Sequence, residues 1–230
     1  MLRLKFSHLF LDIDIDIADS FAILGPNGSG KSILLRVISH ELYPRKLEIR
    51  EVFGKKLTLS EARKTFGIVD GNLEYFYRNE NVTVYDAVIS AFKNALVVYD
   101  YFSFSDKQKE AALSVIEKFS LNPQAFSANL SLGEIKKMLI ARAIVHNPKI
   151  LCLDEPTNGL DIKAKVEFWE LIEKLDMKTI LVTHDFYEVK SYSNIIMLSR
   201  GRAKVIKELK KEDIIKLFEI DENIYRRFYG

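Results

Sequence analysis

The chain has 230 residues, of which 48% are hydrophobic and 29% are charged, and its formal net charge is +2. This is the composition of a globular protein long enough to form a core, and the charge gives no reason to expect the whole chain to bind nucleic acid or an anionic membrane. The single cysteine, Cys152, excludes an internal disulfide framework, and no apolar stretch approaches the ~18–20 residues of a membrane span. The N-terminus lacks a signal-peptide pattern, which favours a cytoplasmic protein.

The first 18 residues predict an antiparallel hairpin. Residues 2–6 and 11–17 alternate apolar and polar side chains, as half-buried strands do. In the second strand Asp12, Asp14 and Asp16 share one face. We interpret that face as a solvated sheet surface rather than a metal site, because no other ligand stands nearby in the sequence.

Residues 25–32 fit G-x-x-x-x-G-K-[ST], the pattern of a phosphate-binding loop. In order they are Gly25, Pro26, Asn27, Gly28, Ser29, Gly30, Lys31 and Ser32. The glycines let the backbone point successive N–H groups at phosphate oxygens, and a helix starting near Lys31 adds its positive end. Lys31 can reach the β- and γ-phosphates, and the Ser32 hydroxyl can ligate Mg²⁺. Because an apolar strand (20–24) leads into the loop and an apolar helix (33–38) leads out, the sequence predicts a nucleoside triphosphate site.

The rest of the chain predicts alternating strands and helices. Strands are predicted at 65–69, 150–154, 179–183 and 195–198, shorter β-like segments within 47–59, and helices at 82–95, 106–119, 132–146, 162–175 and 210–229. The apolar run that ends at Asp154 is typical of a strand buried on both faces of a parallel sheet. The pattern predicts an α/β core with a helical insertion at 75–145.

Two carboxylates stand at the end of the strand 150–154. Asp154 can hold the Mg²⁺ shell opposite Ser32, and Glu155, one residue further, is suited to polarise an attacking water. A lone acid after a strand is usually a loop carboxylate, but two adjacent acids in a chain with a phosphate-binding loop favour phosphoryl chemistry.

Three further motifs stand downstream of the phosphate-binding loop. Ser131 and Glu134 fit the S-x-x-E capping box, and this capped helix start, with Gly133, is also a candidate anion site. The segment 156–161 directly follows the two acids, and His184 ends an apolar strand beside the expected phosphates.

In this order the motifs resemble the nucleotide-binding domain of ATP-binding cassette (ABC) ATPases over about residues 1–205. The matching motifs are the phosphate-binding loop (Walker A) at 25–32, a C-loop at 130–134, the Walker B strand with Glu155, a D-loop at 158–161 and the switch His184. The resemblance implies an α/β P-loop NTPase fold with a RecA-like parallel core, an N-terminal antiparallel β subdomain and an inserted α-helical subdomain.

The resemblance also implies boundaries, ligands and partners. We expect an ATP-binding core at 1–74 and 146–205, a helical subdomain at 75–145 and a helical tail at 206–230. ATP and Mg²⁺ are the implied ligands, and Glu155, His184 and Lys31 the implied catalytic residues. A head-to-tail homodimer or heterodimer would sandwich two ATP molecules, each between one subunit's loop 25–32 and the other's Ser131 and Gly133.

The chain departs from the family at two places, and the position of a third family feature is open. The C-loop has Leu132 and Glu134 where the family has glycine and glutamine. The family uses a glutamine, in the Q-loop, to bridge Mg²⁺ and the helical subdomain, and this chain has no glutamine there. A tight alignment puts Gly71 at that position, and a longer loop puts Glu74 there. We favour Glu74, because a carboxylate can ligate Mg²⁺. The aromatic that stacks on adenine is Phe10 or, less favoured, His8, and packing alone would also explain either residue.

The leading functional hypothesis is the ATPase subunit of an ABC transporter, peripheral on the cytoplasmic face of the membrane and working with separate transmembrane permease subunits. The aromatic-rich stretch 72–102 would receive them. Residues 82–92 and the LSLGE motif suggest the molybdenum-transport and photorepair branch. The alternatives are a soluble ABC ATPase acting on nucleic acid, ribosomes or a protein assembly, and a non-catalytic ATP-binding regulator. The chain lacks the long coiled coil of DNA-repair ABC ATPases and the tandem cassettes of ribosome-acting ones, which disfavours the soluble ATPase. We expect no nucleic acid partner.

Overall fold

The structure, a computed structural model, describes residues 1–229 and forms two compact units. Unit 1 comprises Met1–Ala62 together with Thr179 to the end of the described chain, and unit 2 comprises Arg63–Lys178. In chain order the strands are β1 (Leu2–His8), β2 (Leu11–Ile17), β3 (Phe21–Leu24), β4 (Lys46–Val52), β5 (Phe66–Val69), β6 (Ile150–Asp154), β7 (Lys178–Thr183), β8 (Ile195–Ser199) and β9 (Arg202–Ile206). The helices are α1 (Lys31–Ile38), α2 (Leu59–Thr65), α3 (Gly71–Asn79), α4 (Val84–Ile89), α5 (Asp106–Lys118), α6 (Leu132–Ile144), α7 (Ile162–Glu173), α8 (Lys211–Phe218) and α9 (Glu222–Tyr229).

Unit 1 is built on a sheet in the order β4-β1-β2-β9-β8-β3-β7. β1 pairs antiparallel with β2 and β4, so the hairpin predicted from the first 18 residues is present. β3 pairs parallel with β7 and β8, and β8 turns back antiparallel into β9. The sheet therefore joins a parallel part, which carries the phosphate-binding loop, to an antiparallel part.

The burial of these strands follows their sequences. In β2 every second residue is buried, from Leu11 to Ile17, while Asp12, Asp14 and Asp16 are exposed, as the alternation predicts. All four residues of β3 are fully buried, as expected of a strand between two parallel neighbours.

Unit 2 contains the parallel pair β5–β6 and the helices α3 to α7. Arg142 of α6 is buried and ties α6 to the segment that contains α4, because its guanidinium donates to Ala87 O at 2.6 Å, Ser90 Oγ at 2.8 Å and Ala95 O at 2.7 Å. The ring of Tyr77 lies 5.7 Å below the same guanidinium. Satisfied hydrogen bonds of this kind are what permits a charge in a core.

Several elements differ from the sequence prediction. The predicted helix 82–95 is shortened to α4 and a 3₁₀ turn, and the turn ends at Asn94, which adopts a left-handed φ of 51°. The predicted helix 210–229 is split into α8 and α9, because Glu219 adopts a φ of 54°. Helices α2 and α3 and strand β9 were not predicted. Gly230, the last residue of the expected tail 206–230, lies outside the described residues, and the division into core, helical subdomain and tail stays a prediction.

Candidate functional site

The loop 25–30 connects the end of β3 to the start of α1, and its glycines are dictated by close contacts and backbone angles. A Cβ on Gly25 would lie 2.4 Å from the Leu198 carbonyl oxygen. Gly30 has a φ of +97°, and a Cβ there would lie 2.8 Å from Leu11 Cδ2. Gly28 has a φ of +77° and open space beside it. The loop thus packs tightly against the sheet at both ends, and its middle faces open space.

The N-terminus of α1 suits an anion. Its N-cap residue, Gly30, supplies no side-chain cap, so the N–H groups of the first turn have no side-chain acceptor there. Lys31 is 5% exposed and donates to Gly25 O at 3.0 Å and Pro26 O at 3.2 Å. The buried Ser29 Oγ has no hydrogen-bond partner among the described residues. A buried ammonium, an uncapped helix start and an unsatisfied hydroxyl on one loop are the donor set that a phosphate requires.

His184 stands directly after β7, at the same sheet edge as the loop. Leu24, the last residue of β3, pairs with Thr183, so His184 and Gly25 are the next residues on adjacent parallel strands. The Thr183 hydroxyl fixes this corner: it donates to Glu188 Oε2 at 2.5 Å and accepts from the Asp185 N–H at 2.9 Å. The His184 side chain is exposed.

The two aromatic candidates for base stacking differ in their surroundings. Phe10 is 53% exposed, and its Cε2 lies 3.3 Å from the position that a Cβ on Gly30 would take. His8 instead accepts a hydrogen bond from the Arg45 N–H at Nδ1, at 3.1 Å. Of the two predicted candidates, Phe10 is therefore the one that lies beside the loop.

In unit 2, Asp154 and Glu155 stand at the end of β6, as the sequence indicates. Asp154 is half-buried, and Glu155 adopts a left-handed backbone with a φ of 48°. Glu155 Oε2 accepts from Asn158 Nδ2 at 2.6 Å. A left-handed φ is costly for a residue with a Cβ, and such strain is typical of functional sites.

The capping box predicted at Ser131 and Glu134 is present at the start of α6. The Ser131 hydroxyl donates to Glu134 Oε2 at 2.6 Å, the Ser131 N–H donates to the same oxygen at 2.9 Å, and the Glu134 N–H donates back to Ser131 Oγ at 3.3 Å. These bonds, the hydroxyl's first, lower the pKa of the Glu134 carboxyl, so the residue is anionic at neutral pH.

Leu132, one of the C-loop departures, packs against Gly159. Its Cδ2 lies 3.0 Å from the position that a Gly159 Cβ would take, and Gly159 has a φ of +79°. Gly133 has open space beside it. The C-loop and the D-loop are therefore in contact within unit 2, and glycine at 159 leaves room for Leu132.

Glu74 lies in the first turn of α3 rather than in a loop. Asp70 caps this helix by accepting the Leu73 N–H at 2.8 Å, and Gly71 is its first residue. Glu74 Oε2 lies 2.6 Å from Lys136 Nζ, and Glu74 Oε1 lies 3.6 Å from an Arg78 nitrogen.

Lys136 is 3% exposed, and sequence reasoning missed it. Its partner is 62 positions earlier in the chain, so no local pattern signals the pair. Helix α3 itself has a signal in the sequence, because Asp70 stands at its N-cap and Glu74 in its first turn.

Comparison with known proteins decides the family. The sequence profile of the family described as ABC transporter matches residues 11–158. The chain belongs to the ABC transporter family. An uncharacterized ABC transporter ATP-binding protein of Methanocaldococcus jannaschii is 34% identical over 83% of this chain and 76% of its own length. The energy-coupling factor transporter ATP-binding protein EcfA2 of Caldanaerobacter subterraneus subsp. tengcongensis is 31% identical over 85% of this chain and 70% of its own length.

The solved structures agree. A dimeric structure of a post-hydrolysis state of the ATP-binding cassette MJ0796, bound to ADP and Pi, has a TM-score of 0.70 and 25% identity, and the match covers 91% of this chain and 98% of that one. This ABC cassette is a nucleotide-binding ATPase subunit with the P-loop NTPase fold and an antiparallel β subdomain, so the predicted family, fold class and enzyme class are confirmed. The molybdenum and photorepair branch stays a prediction.

Proposed function

We propose that this cassette works as an ATP-sandwich dimer that drives separate transmembrane permease subunits from the cytoplasmic face of the membrane. The observation that carries the proposal is the loop 25–32, which combines an uncapped helix N-terminus with a buried Lys31 ammonium and an unsatisfied Ser29 hydroxyl. The EcfA2 relative is an ATP-binding protein of an energy-coupling factor transporter, which supports transport over a soluble role on nucleic acid.

In the proposed phosphate site, the loop backbone and the N-terminus of α1 surround the triphosphate. Lys31 now donates to Gly25 and Pro26 carbonyl oxygens, and we propose that it turns to the β- and γ-phosphates when nucleotide binds. A buried ammonium is worth more to a phosphate there than in water, because the local dielectric is low.

For Mg²⁺ we propose Ser32 of the phosphate-binding loop as a ligand, and Asp154 stays a prediction. A hydroxyl and a carboxylate both offer the hard oxygen ligands that Mg²⁺ prefers, and the ion would take its remaining ligands from phosphate and water. Among residues 1–229 no group of three or more His, Cys, Asp or Glu could hold a metal ion. Glu74, the third predicted ligand, is engaged by Lys136 and stays a prediction.

For hydrolysis we assign Glu155 as general base and His184 as the residue that orients the γ-phosphate and water. Glu155 is one residue beyond the buried strand β6, and its strained backbone supports a role in which conformation matters more than local stability. Ser131 and Gly133 at the start of α6 would contact the ATP held by the other subunit, where the positive helix end favours the γ-phosphate.

No helix among residues 1–229 is long and apolar enough to cross a membrane. We propose that separate chains form the membrane-spanning part. The exposed aromatics of the stretch 72–102, which include Tyr75, Tyr99 and Tyr101, are the proposed contact for them.

The catalytic part is tested with Glu155→Gln and Lys31→Ala. Glu155→Gln should bind ATP, lose nearly all hydrolysis and form a stable dimer with MgATP in size-exclusion chromatography. Lys31→Ala should lose most nucleotide affinity. Normal turnover by Glu155→Gln would show that another group is the base.

The transport part is tested by purifying the tagged protein from its native cells in mild detergent. A multi-span membrane protein at near-stoichiometric amount is the expected result. Recovery of ribosomal proteins or nucleic acid instead would contradict the proposed partners.

A further inference from the structure

A cavity of about 490 Å³ in unit 1 is lined by residues of the phosphate-binding loop and of helix α8. Phe10 and residues 26–29 of the loop line it. The other lining residues are Ser199 at the end of β8, Arg200, and Leu217, Phe218 and Glu219 of α8 and its C-cap. The volume is within the range of about 300–1,000 Å³ typical of small-molecule sites.

Three contacts hold α8 at this cavity. Leu217 is 2% exposed, so the last turn of α8 is anchored by apolar burial. Asp213 pairs with Lys204 of β9 at 3.4 Å, and Glu219 pairs with Arg200 at 2.7 Å. Burial of Leu217 is therefore the main anchor of the helix, and the two exposed ion pairs add little to it.

The segment that contains Phe10 packs against the turn formed by Arg200 and Gly201. Gly201 has a φ of +79°, and a Cβ there would lie 1.9 Å from the Phe10 carbonyl oxygen. The Asp12 N–H donates to Gly201 O at 2.8 Å. The turn at Arg200 and Gly201 therefore contacts both the segment that presents Phe10 and the end of the helix that presents Phe218.

The chemistry of the lining suits a planar base joined to phosphates. Two phenyl rings offer flat apolar surfaces for stacking, and Arg200 and Glu219 offer hydrogen-bond donors and acceptors. Pro26, Asn27, Gly28 and Ser29 line the same cavity, so a base here is continuous with the phosphate loop.

We propose that α8 forms part of the base-binding site, and that Phe218 contacts the nucleobase of the nucleotide held by loop 25–32. The inference rests on the proposed function. It makes helix α8 a determinant of nucleotide affinity in the same subunit.

The test compares a ligand that has a base with one that lacks it. Phe218→Leu removes the ring and keeps an apolar side chain. Calorimetric titration should show that MgADP binds roughly tenfold more weakly than to the wild type, the size expected for a lost stacking contact. Affinity for Mg²⁺ with inorganic diphosphate, which has no base, should be unchanged.

Two matched variants serve as controls. Phe218→Tyr keeps the ring and should bind MgADP as the wild type does. Lys216→Ala alters an exposed residue of the same helix, and it should change neither affinity.

The outcomes separate the two levels of the proposal. A wild-type protein that binds neither ligand overturns the proposed function itself. A wild type that binds MgADP together with an unchanged Phe218→Leu, or with one that loses both ligands equally, overturns only the role of α8. If Phe218→Leu does not fold, nuclear Overhauser contacts between adenine H2 or H8 and the Phe218 ring in the wild type support the inference, and their absence overturns it.

Discussion

Glu74 Oε2 lies 2.6 Å from Lys136 Nζ, and this ion pair joins α3 to the helix that presents Ser131. The family has a Q-loop glutamine after the strand that corresponds to β5, whereas this chain has a capped helix there. Both side chains are largely buried, since that of Glu74 is 18% exposed and that of Lys136 is 4% exposed. The pair therefore ties α3 to the C-loop helix within unit 2.

Removing one member of the pair should cost more than removing both. We expect Lys136→Met to lower the free energy of unfolding by on the order of 3 kcal/mol, because the Glu74 charge is left poorly compensated. The double variant Glu74→Gln with Lys136→Met should recover most of that loss in urea unfolding. Lys107→Met, on an exposed position of α5, is the control; strictly additive losses in the double variant would show that the two residues do not interact.

Glu74→Gln separates a metal role from a structural one. If the carboxylate ligates Mg²⁺, the Mg²⁺ concentration that gives half-maximal ATPase rate must rise. Because Lys136 and Arg78 already hold the carboxylate, we expect lower stability and no such rise. Titrating Mg²⁺ at saturating ATP measures this, and a clear rise would restore Glu74 as a metal ligand.

Glu134→Gln should strengthen the ATP-dependent dimer. The glutamine retains the capping box, since a Gln side chain can accept the same N–H group, and it removes an anion from the proposed γ-phosphate contact. In a Glu155→Gln background the ATP concentration needed for dimerisation should fall severalfold. Glu134→Ala keeps the Ser131 cap but loses the reciprocal bonds from Ser131 to the Glu134 carboxylate, and it should instead lose about 1 kcal/mol of stability. Weaker dimerisation of Glu134→Gln would mean that the carboxylate contributes to the interface.

Glu155→Gly should be more stable than the wild type although it cannot hydrolyse ATP. Glycine adopts a φ of 48° without the Cβ clash, so we expect a gain of about 1 kcal/mol in the free energy of unfolding. Glu155→Gln keeps the Cβ and is the matched control, with stability near that of the wild type. Equal stability of the glycine variant would show that the backbone is not strained.

The stability of unit 1 should fall below neutral pH through His40. Burial, and secondarily the positive charge of Arg50, lower the pKa of His40 from 6.5 to about 4. Because the folded state prefers the neutral imidazole, this stabilisation is complete above pH 6.5 and is lost as the pH falls toward 4. Tm should therefore drop more steeply over this range in the wild type than in His40→Asn, in which the asparagine tolerates the left-handed φ of 67°. Parallel pH profiles would contradict this assignment.

Local patterns determined much of this protein from its sequence. The alternation of residues 11–17 gave the half-buried strand, the S-x-x-E pattern gave the capped start of α6, and the glycines and Lys31 gave the phosphate loop. These features depend on residues within a few positions of one another, where strand period, helix capping and backbone sterics act.

Only the tertiary structure decided the features that depend on distant residues. Glu74 and Lys136 meet because α3 packs on α6, and Phe10 and Phe218 line one cavity because the turn at Gly201 brings their segments together. The strain at Glu155 is likewise invisible in the sequence, since a left-handed glutamate is unfavourable locally and persists only when the surrounding fold imposes it. Pairing across long sequence separations is set by packing of whole elements, which no short pattern encodes.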